Sequence, residues 1–113
     1  MSNELHAETT TGIVVYCVLL NAVGKVWDGT VFETIAAGSW TDYDITMTEA
    51  TAGIYLVTMP TTIPGAYSYV VFERVGASPA ITDTCKGTGW IQWDGYAEVG
   101  GSVATKPLTG VGV

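Results

Sequence analysis

Residues Asp83–Tyr96 read DTCKGTGWIQWDGY and gather a cysteine, two carboxylates, three glycines, two tryptophans and a tyrosine. Each of these types can do chemistry, and each chemistry makes a demand on the rest of the chain. A thiol or hydroxyl nucleophile needs a base beside it. The one histidine is His6, in the polar, acidic start MSNELHAETT, so a Cys/His or Ser/His pair is not expected. A paired-carboxylate hydrolase would draw on Asp42, Asp44, Asp83 and Asp94. None of the four sits in a catalytic motif, and turn capping or a solvated face accounts for them. Asp42 and Asp44 share a face at i, i+2 and could meet calcium, but the loop pattern D-x-[DN]-x-[DN]-G is absent. Lys86-Gly87-Thr88-Gly89 matches neither the P-loop spacing nor GxGxxG, and no helix is expected after it.

The cysteines leave two readings open. Cys17 and Cys85 flank Trp27 in the order found in immunoglobulin domains. The tyrosine such domains carry two residues before the second cysteine is Asp83 here, and position 85 falls in a Gly-rich stretch. Two free thiols, one of them buried, are the other reading. Without a CxxC or a nearby histidine the pair makes no zinc site. No catalytic residue, cofactor or metal ligand is therefore expected, and the chain reads as a non-enzyme.

The aromatics are the remaining candidates. A sugar-binding platform needs coplanar exposed rings, whereas side chains alternate faces along a strand. Trp90 and Trp93 are three apart and must point to opposite sides. One is expected to plug the core and the other to cover an edge or meet a subunit. Trp40, Tyr43 and Trp90 are the candidate ligand or interface residues. Trp27-Asp28-Gly29 and Trp93-Asp94-Gly95 are read as structural turn motifs, each with a tryptophan ending a strand and Asp-Gly opening the turn.

The elements that must position these residues are strands. Gly12–Leu20 (GIVVYCVLL) is continuous and β-branched, as for a strand buried on both faces. Lys25–Asp28, Thr30–Ile35, Tyr43–Thr48, Ile54–Met59, Tyr67–Val75 and Trp90–Trp93 follow, separated by Gly, Pro and Asp turn signals. In Tyr43–Thr48 the alternation turns Tyr43, Ile45 and Met47 inward. About seven short strands at this spacing predict an all-β, antiparallel β-sandwich, immunoglobulin-like or related. The expected organisation is an N-terminal arm over 1–11, the sandwich over 12–97 and an extended C-terminal arm over 98–113. That last arm, EVGGSVATKPLTGVGV, could add to a neighbour's sheet edge.

Composition narrows the partners. The chain has 113 residues, enough for one domain with a real core. Hydrophobic residues are 48% and charged residues 13%, a low charged share that suits a surface buried against other chains. The four bases, Lys25, Arg74, Lys86 and Lys106, are scattered among eleven acids for a net charge of −7. Nucleic acid and anionic membranes both want a basic footprint, so neither is an expected partner. The start lacks a basic n-region and an apolar h-region, and the longest apolar run is Ile13–Leu20. Synthesis in a cytoplasm is expected.

The landmarks V-Y-x-V-L-L-N, G-K-V-W-D-G-T-x-F-E, D-Y-x-I-x-M-T-E, G-I-Y, G-x-Y-S-Y-V-V-F and G-x-G-x-I-x-W-D-G occur in that order between residues 13 and 96. This pattern resembles a small β-sandwich module of tailed-phage and prophage structural proteins, also seen in some bacterial surface proteins. The likeness rests on turn and strand positions such as Gly24, Glu49, Gly53, Tyr55, Asp83 and Gly89, and the two cysteines are not part of it. It implies a non-enzymatic virion protein: a capsid decoration, or a neck, tail or fibre component. Its partners would be other virion proteins, with homo-oligomer or lattice contacts through the termini. The alternative is a carbohydrate-binding or adhesion module whose aromatic edge, formed by Trp40, Tyr43 or Trp90, meets a surface glycan.

Overall fold

Val15–Leu20 (VYCVLL, strand β2) is nearly all apolar, and the computed structural model, which describes residues 3–99, buries five of its six residues. A strand without a polar face must be covered on both sides. Val15, Cys17 and Leu19 enter one apolar cluster, while Tyr16 and Val18 enter another on the opposite face. The remaining strands are β1 (Leu5–Glu8), β3 (Val26–Trp27), β4 (Phe32–Glu33), β5 (Ile45–Thr51), β6 (Ile54–Val57), β7 (Gly65–Glu73) and β8 (Thr84–Trp93). Every pairing of these strands is antiparallel.

The strand order is β1-β6-β5-β2-β3-β4, with β7 also paired to β2 and β8 beyond β7. β5 belongs to both layers. Ile45–Met47 pairs with β2, Thr48–Thr51 pairs with β6, and the register shifts between Glu49 and Thr51. Such an irregularity bends a strand and lets it turn a corner between sheets. Leu5 and Tyr55 from one layer meet Leu19, Met47, Val71, Ile91 and Trp93 from the other in the main core. The fold is thus the all-β, antiparallel, sandwich-like architecture expected.

Four local expectations are corrected. Residues 1–11 are not all a solvated arm: Leu5–Glu8 pairs with β6 from Leu5↔Val57 to Glu8↔Ile54, and Leu5 is fully buried. Leu5 and Ala7 alternate with His6 and Glu8, a pattern only four residues long. The closing strand starts at Thr84, not Trp90, and takes in the whole KGTG run, because β7 offers it a partner from Glu73↔Thr84 to Gly65↔Trp93. Tyr43 precedes β5 and joins the cluster of Tyr16 and Val18, whereas Met47 joins the main core. Ala37–Asp42, for which no helix was expected, forms a 3-10 segment. Of the expected C-terminal arm, Glu98 bridges to Trp93 and the Val99 N–H donates to the Gln92 carbonyl, and residues 100–113 lie outside the described residues.

Candidate functional site

The two Trp-Asp-Gly motifs fold the same way. Asp28 accepts hydrogen bonds from the N–H groups of Thr30 and Val31, and Asp94 accepts from those of Tyr96 and Ala97. Gly29 and Gly95 take positive φ, 102° and 103°, which glycine adopts without strain. These backbone hydrogen bonds hold both carboxyls below the usual carboxylate range. Trp27 and Trp93 are buried, and the Trp93 indole N–H donates to the Thr61 carbonyl at 2.8 Å. The acids of this pair are turn-formers, each using its Oδ1 to accept two backbone N–H groups.

Asp83 does similar work over a longer range. Its carboxylate accepts from the Tyr16 hydroxyl at 2.7 Å and from the N–H groups of Ala80 and Val75. Burial pushes the carboxyl up, but these bonds and the Arg74 charge outweigh it and hold the carboxyl low. Tyr16 in turn accepts the Trp40 indole N–H at 3.1 Å. Burial first, then the bond to Asp83, pushes the Tyr16 phenol up to about 12. The chain ties the loop between β7 and β8 to β2 and to the 3-10 segment.

The candidate aromatics separate. Tyr43 is fully buried; its hydroxyl donates to Glu33 and accepts from the Ala36 N–H. Trp40 is half-buried, edge-on to both Tyr43 and Phe72. Trp90 alone of the three presents an open ring, 56% exposed, while Trp93 is 5% exposed. The opposite orientations of Trp90 and Trp93 follow from the pleat, as expected.

Register places Trp90 in a face. Leu20, Ser68 and Trp90 stand opposite one another across β2, β7 and β8, and Val18, Val70 and Thr88 form the next row. Ala66 opposite Gln92 completes it on the other side. No residue of these three rows is charged, although the chain carries eleven acids. Val18 is buried in the cluster of Tyr16 and Tyr43, with Leu20 packed against it, so the open part of this face is Trp90 with the exposed Ser68, Thr88 and Gln92 and the half-buried Leu20 and Val70 beside them.

A cleft of about 520 Å³ lies at the seam between β1 and β8, lined among others by His6, Glu8, Leu56, Lys86 and Thr88. Beneath it the Tyr69 hydroxyl donates to the His6 carbonyl at 3.0 Å and accepts the His6 N–H. It thereby closes the outer edge of β1. Sequence reasoning missed this seam because it treated His6 as part of an arm; the alternation of Leu5 and Ala7 was the available signal. A half-buried acceptor at Glu49 was missed as well. That carboxylate receives the Thr11 hydroxyl and the N–H groups of Gly12 and Gly53, and these bonds hold it below the usual range.

Both cysteines are free. Cys17 faces the main core, and burial pushes its thiol up to about 12. Cys85 is exposed on β8, with β7 between the two strands. The disulfide reading is thereby set aside. Among the described residues no group of three or more His, Cys, Asp or Glu is placed to hold a metal ion. No family model, curated protein or solved structure matches this chain.

Proposed function

We propose that the protein is a non-enzymatic structural protein of a tailed-phage particle, a capsid decoration or a neck, tail or fibre component, working through subunit contacts. One observation carries the reading: an acidic chain keeps one sheet face, around Trp90, Leu20 and Val70, free of charge. Burying such a face against a partner costs no ion desolvation, and tryptophan, here on its β8 edge, is among the side chains that dominate contact energy. Two of the carboxylates that could have worked on a substrate, Asp83 and Asp94, instead hold a loop and a turn in place, which suits a rigid building block. The acidic balance suits an exterior position in the particle, because it gives no affinity for packaged DNA.

The test is co-expression with the structural genes that neighbour its own, followed by particle purification. The wild-type protein is expected to co-purify with particles, and Trp90→Lys to be depleted from them while remaining folded. Failure of the wild-type protein to enter any particle would overturn the reading.

A second reading has its own support. The exposed Trp90 ring is flanked by Ser68, Thr88 and Gln92, hydroxyls and an amide of the kind that bind sugar hydroxyls beside a stacking ring. A glycan array separates the two: specific binding that disappears in Trp90→Ala would favour a carbohydrate-binding adhesion module.

A further inference from the structure

Two uncharged apolar features lie at opposite ends of β2 and β7. At one end a pocket of about 210 Å³ sits between the turn after β2 and the loop before β7. Phe32 and Tyr67 stack in its wall with ring centroids 5.5 Å apart, and Val23, Ile63 and Pro64 also line it. Val23 and Ile63 are exposed, and no charged residue lines the pocket. The pocket is held in shape by its own hydrogen bonds. The Tyr67 hydroxyl donates to the Ile63 carbonyl at 2.6 Å, and the Asn21 side chain accepts the Val23 N–H. Small-molecule sites usually span about 300–1,000 Å³, so this smaller pocket suits a single apolar side chain.

At the other end, residues 75–82 (VGASPAIT) join β7 to β8 without a charged side chain. Val75 is 72% exposed and Ile81 61%. Exposed aliphatic side chains scattered singly are ordinary. These two stand on a clamped loop: the Asp83 carboxylate accepts the N–H groups of Val75 and Ala80, and the Asp83 N–H donates to the Ala80 carbonyl. A loop already held in place loses little freedom on docking. The nine residues of β7 separate the loop from the pocket, about 27 Å at the rise of a strand. The loop of one copy is therefore out of reach of its own pocket and open to that of another.

Two copies of a chain with net charge −7 repel one another, so they meet best through surfaces that carry no charge. The loop and the pocket are both such surfaces, and one chain carries both. We propose that the protein self-associates head to tail, with the Val75–Ile81 loop of one copy seated in the Val23, Phe32 and Ile63 pocket of the next. The contact joins unlike surfaces, so repetition builds a ring or a filament according to whether the rotation closes. It is separate from the Trp90 face and adds a second direction of contact to it.

Sedimentation velocity over a range of concentrations tests the proposal on the full chain. The wild-type protein is expected to form concentration-dependent oligomers. Ile81→Asn blunts the loop and Ile63→Asn the pocket; both sites are exposed, so the fold is kept. Each variant alone should self-associate roughly tenfold more weakly or worse, the loss expected when a buried aliphatic contact is removed. An equimolar mixture of the two should recover a one-to-one dimer that grows no further, because one variant keeps its pocket and the other its loop. Trp90→Lys should leave self-association unchanged, which separates this contact from the Trp90 face. A wild-type protein that stays monomeric at every concentration would overturn the proposal. So would oligomers indifferent to both isoleucine variants, oligomers lost in Trp90→Lys, or a mixture that recovers no dimer.

Discussion

The Tyr69 ring occupies the space that a side chain at Gly89 would need. A Cβ at position 89 would stand closer than 3.0 Å to the Cζ, Cε1 and hydroxyl of Tyr69. The two residues are directly opposed in β7 and β8. Passing over the glycine, the ring reaches β1, where its hydroxyl meets both backbone groups of His6. A glycine in one strand thus lets a tyrosine of the next close the seam to a third. Aromatic cover of a strand glycine of this kind also restores apolar burial that the glycine itself cannot provide.

Gly89→Ala is expected to destabilise the fold by about 1–3 kcal/mol, the range for overpacking a well-filled site. Gly87, two residues along the same strand, has nothing within 4 Å of its own hypothetical Cβ. Gly87→Ala should therefore change stability by less than about 0.5 kcal/mol. Urea midpoints of the two variants make the comparison, and Tyr69→Leu, which removes the ring, should abolish most of the Gly89→Ala penalty. Equal costs at 87 and 89 would refute the overlap.

The two Trp-Asp-Gly turns separate in a similar experiment. Gly29 and Gly95 share positive φ, so alanine at either pays for the left-handed backbone, about 1–2 kcal/mol. A Cβ at Gly95 would also stand 2.7 Å from the Thr62 carbonyl oxygen, whereas Gly29 has open space. Gly95→Ala should lower the thermal midpoint more than Gly29→Ala, despite the identical local motif.

Much of this arrangement was legible in order but not in partnership. The unbroken apolar run of β2 announced a strand covered on both faces, and the spacing of Trp90 and Trp93 announced their separation, because both depend on local periodicity alone. The repeated Trp-Asp-Gly announced two like turns for the same reason. The bond from Tyr16 to Asp83 joins β2 to the start of β8, and no local period encodes such a pairing. The KGTG run looked like a loop because glycine weakens strands in isolation. Its strand character comes from β7, whose Val71 and Tyr69 stand opposite Gly87 and Gly89. The four residues of β1 were too few to outweigh a polar context, and Leu5 earns its place only once β6 is beside it.

Acid should loosen the loop between β7 and β8. The Asp83 carboxyl is held below its ordinary value in the folded chain, so its contribution is present above the unfolded pKa, about 3.9. The contribution declines as pH falls below that value toward the lower folded pKa. Wild-type stability should therefore drop below about pH 4 more steeply than that of Asp83→Asn, which has no carboxylate to titrate there. At neutral pH, Asp83→Ala should cost on the order of 3 kcal/mol, since it strands the Tyr16 hydroxyl and two backbone N–H groups. Denaturant titrations between pH 3 and 7 give both readings (the window follows from the carboxylate range). An unchanged acid slope in Asp83→Asn would show that other carboxylates carry the acid sensitivity.

The two tryptophans of β8 should behave as opposites under substitution. Trp93 is packed in the main core with its indole N–H bonded to the Thr61 carbonyl, so Trp93→Ala should cost about 3–5 kcal/mol. Trp93→Phe keeps most of the apolar volume and strands the Thr61 carbonyl, and should cost about 1–3 kcal/mol. Trp90→Ser removes an exposed ring opposite Ser68 and should leave stability within about 0.5 kcal/mol. The prediction for Trp90 is thus a loss of binding without a loss of fold, measured by particle incorporation or glycan binding beside a urea midpoint. Were Trp90→Ser as destabilising as Trp93→Ala, the exposed face would be part of the folding core, and its role as a contact surface would lose its footing.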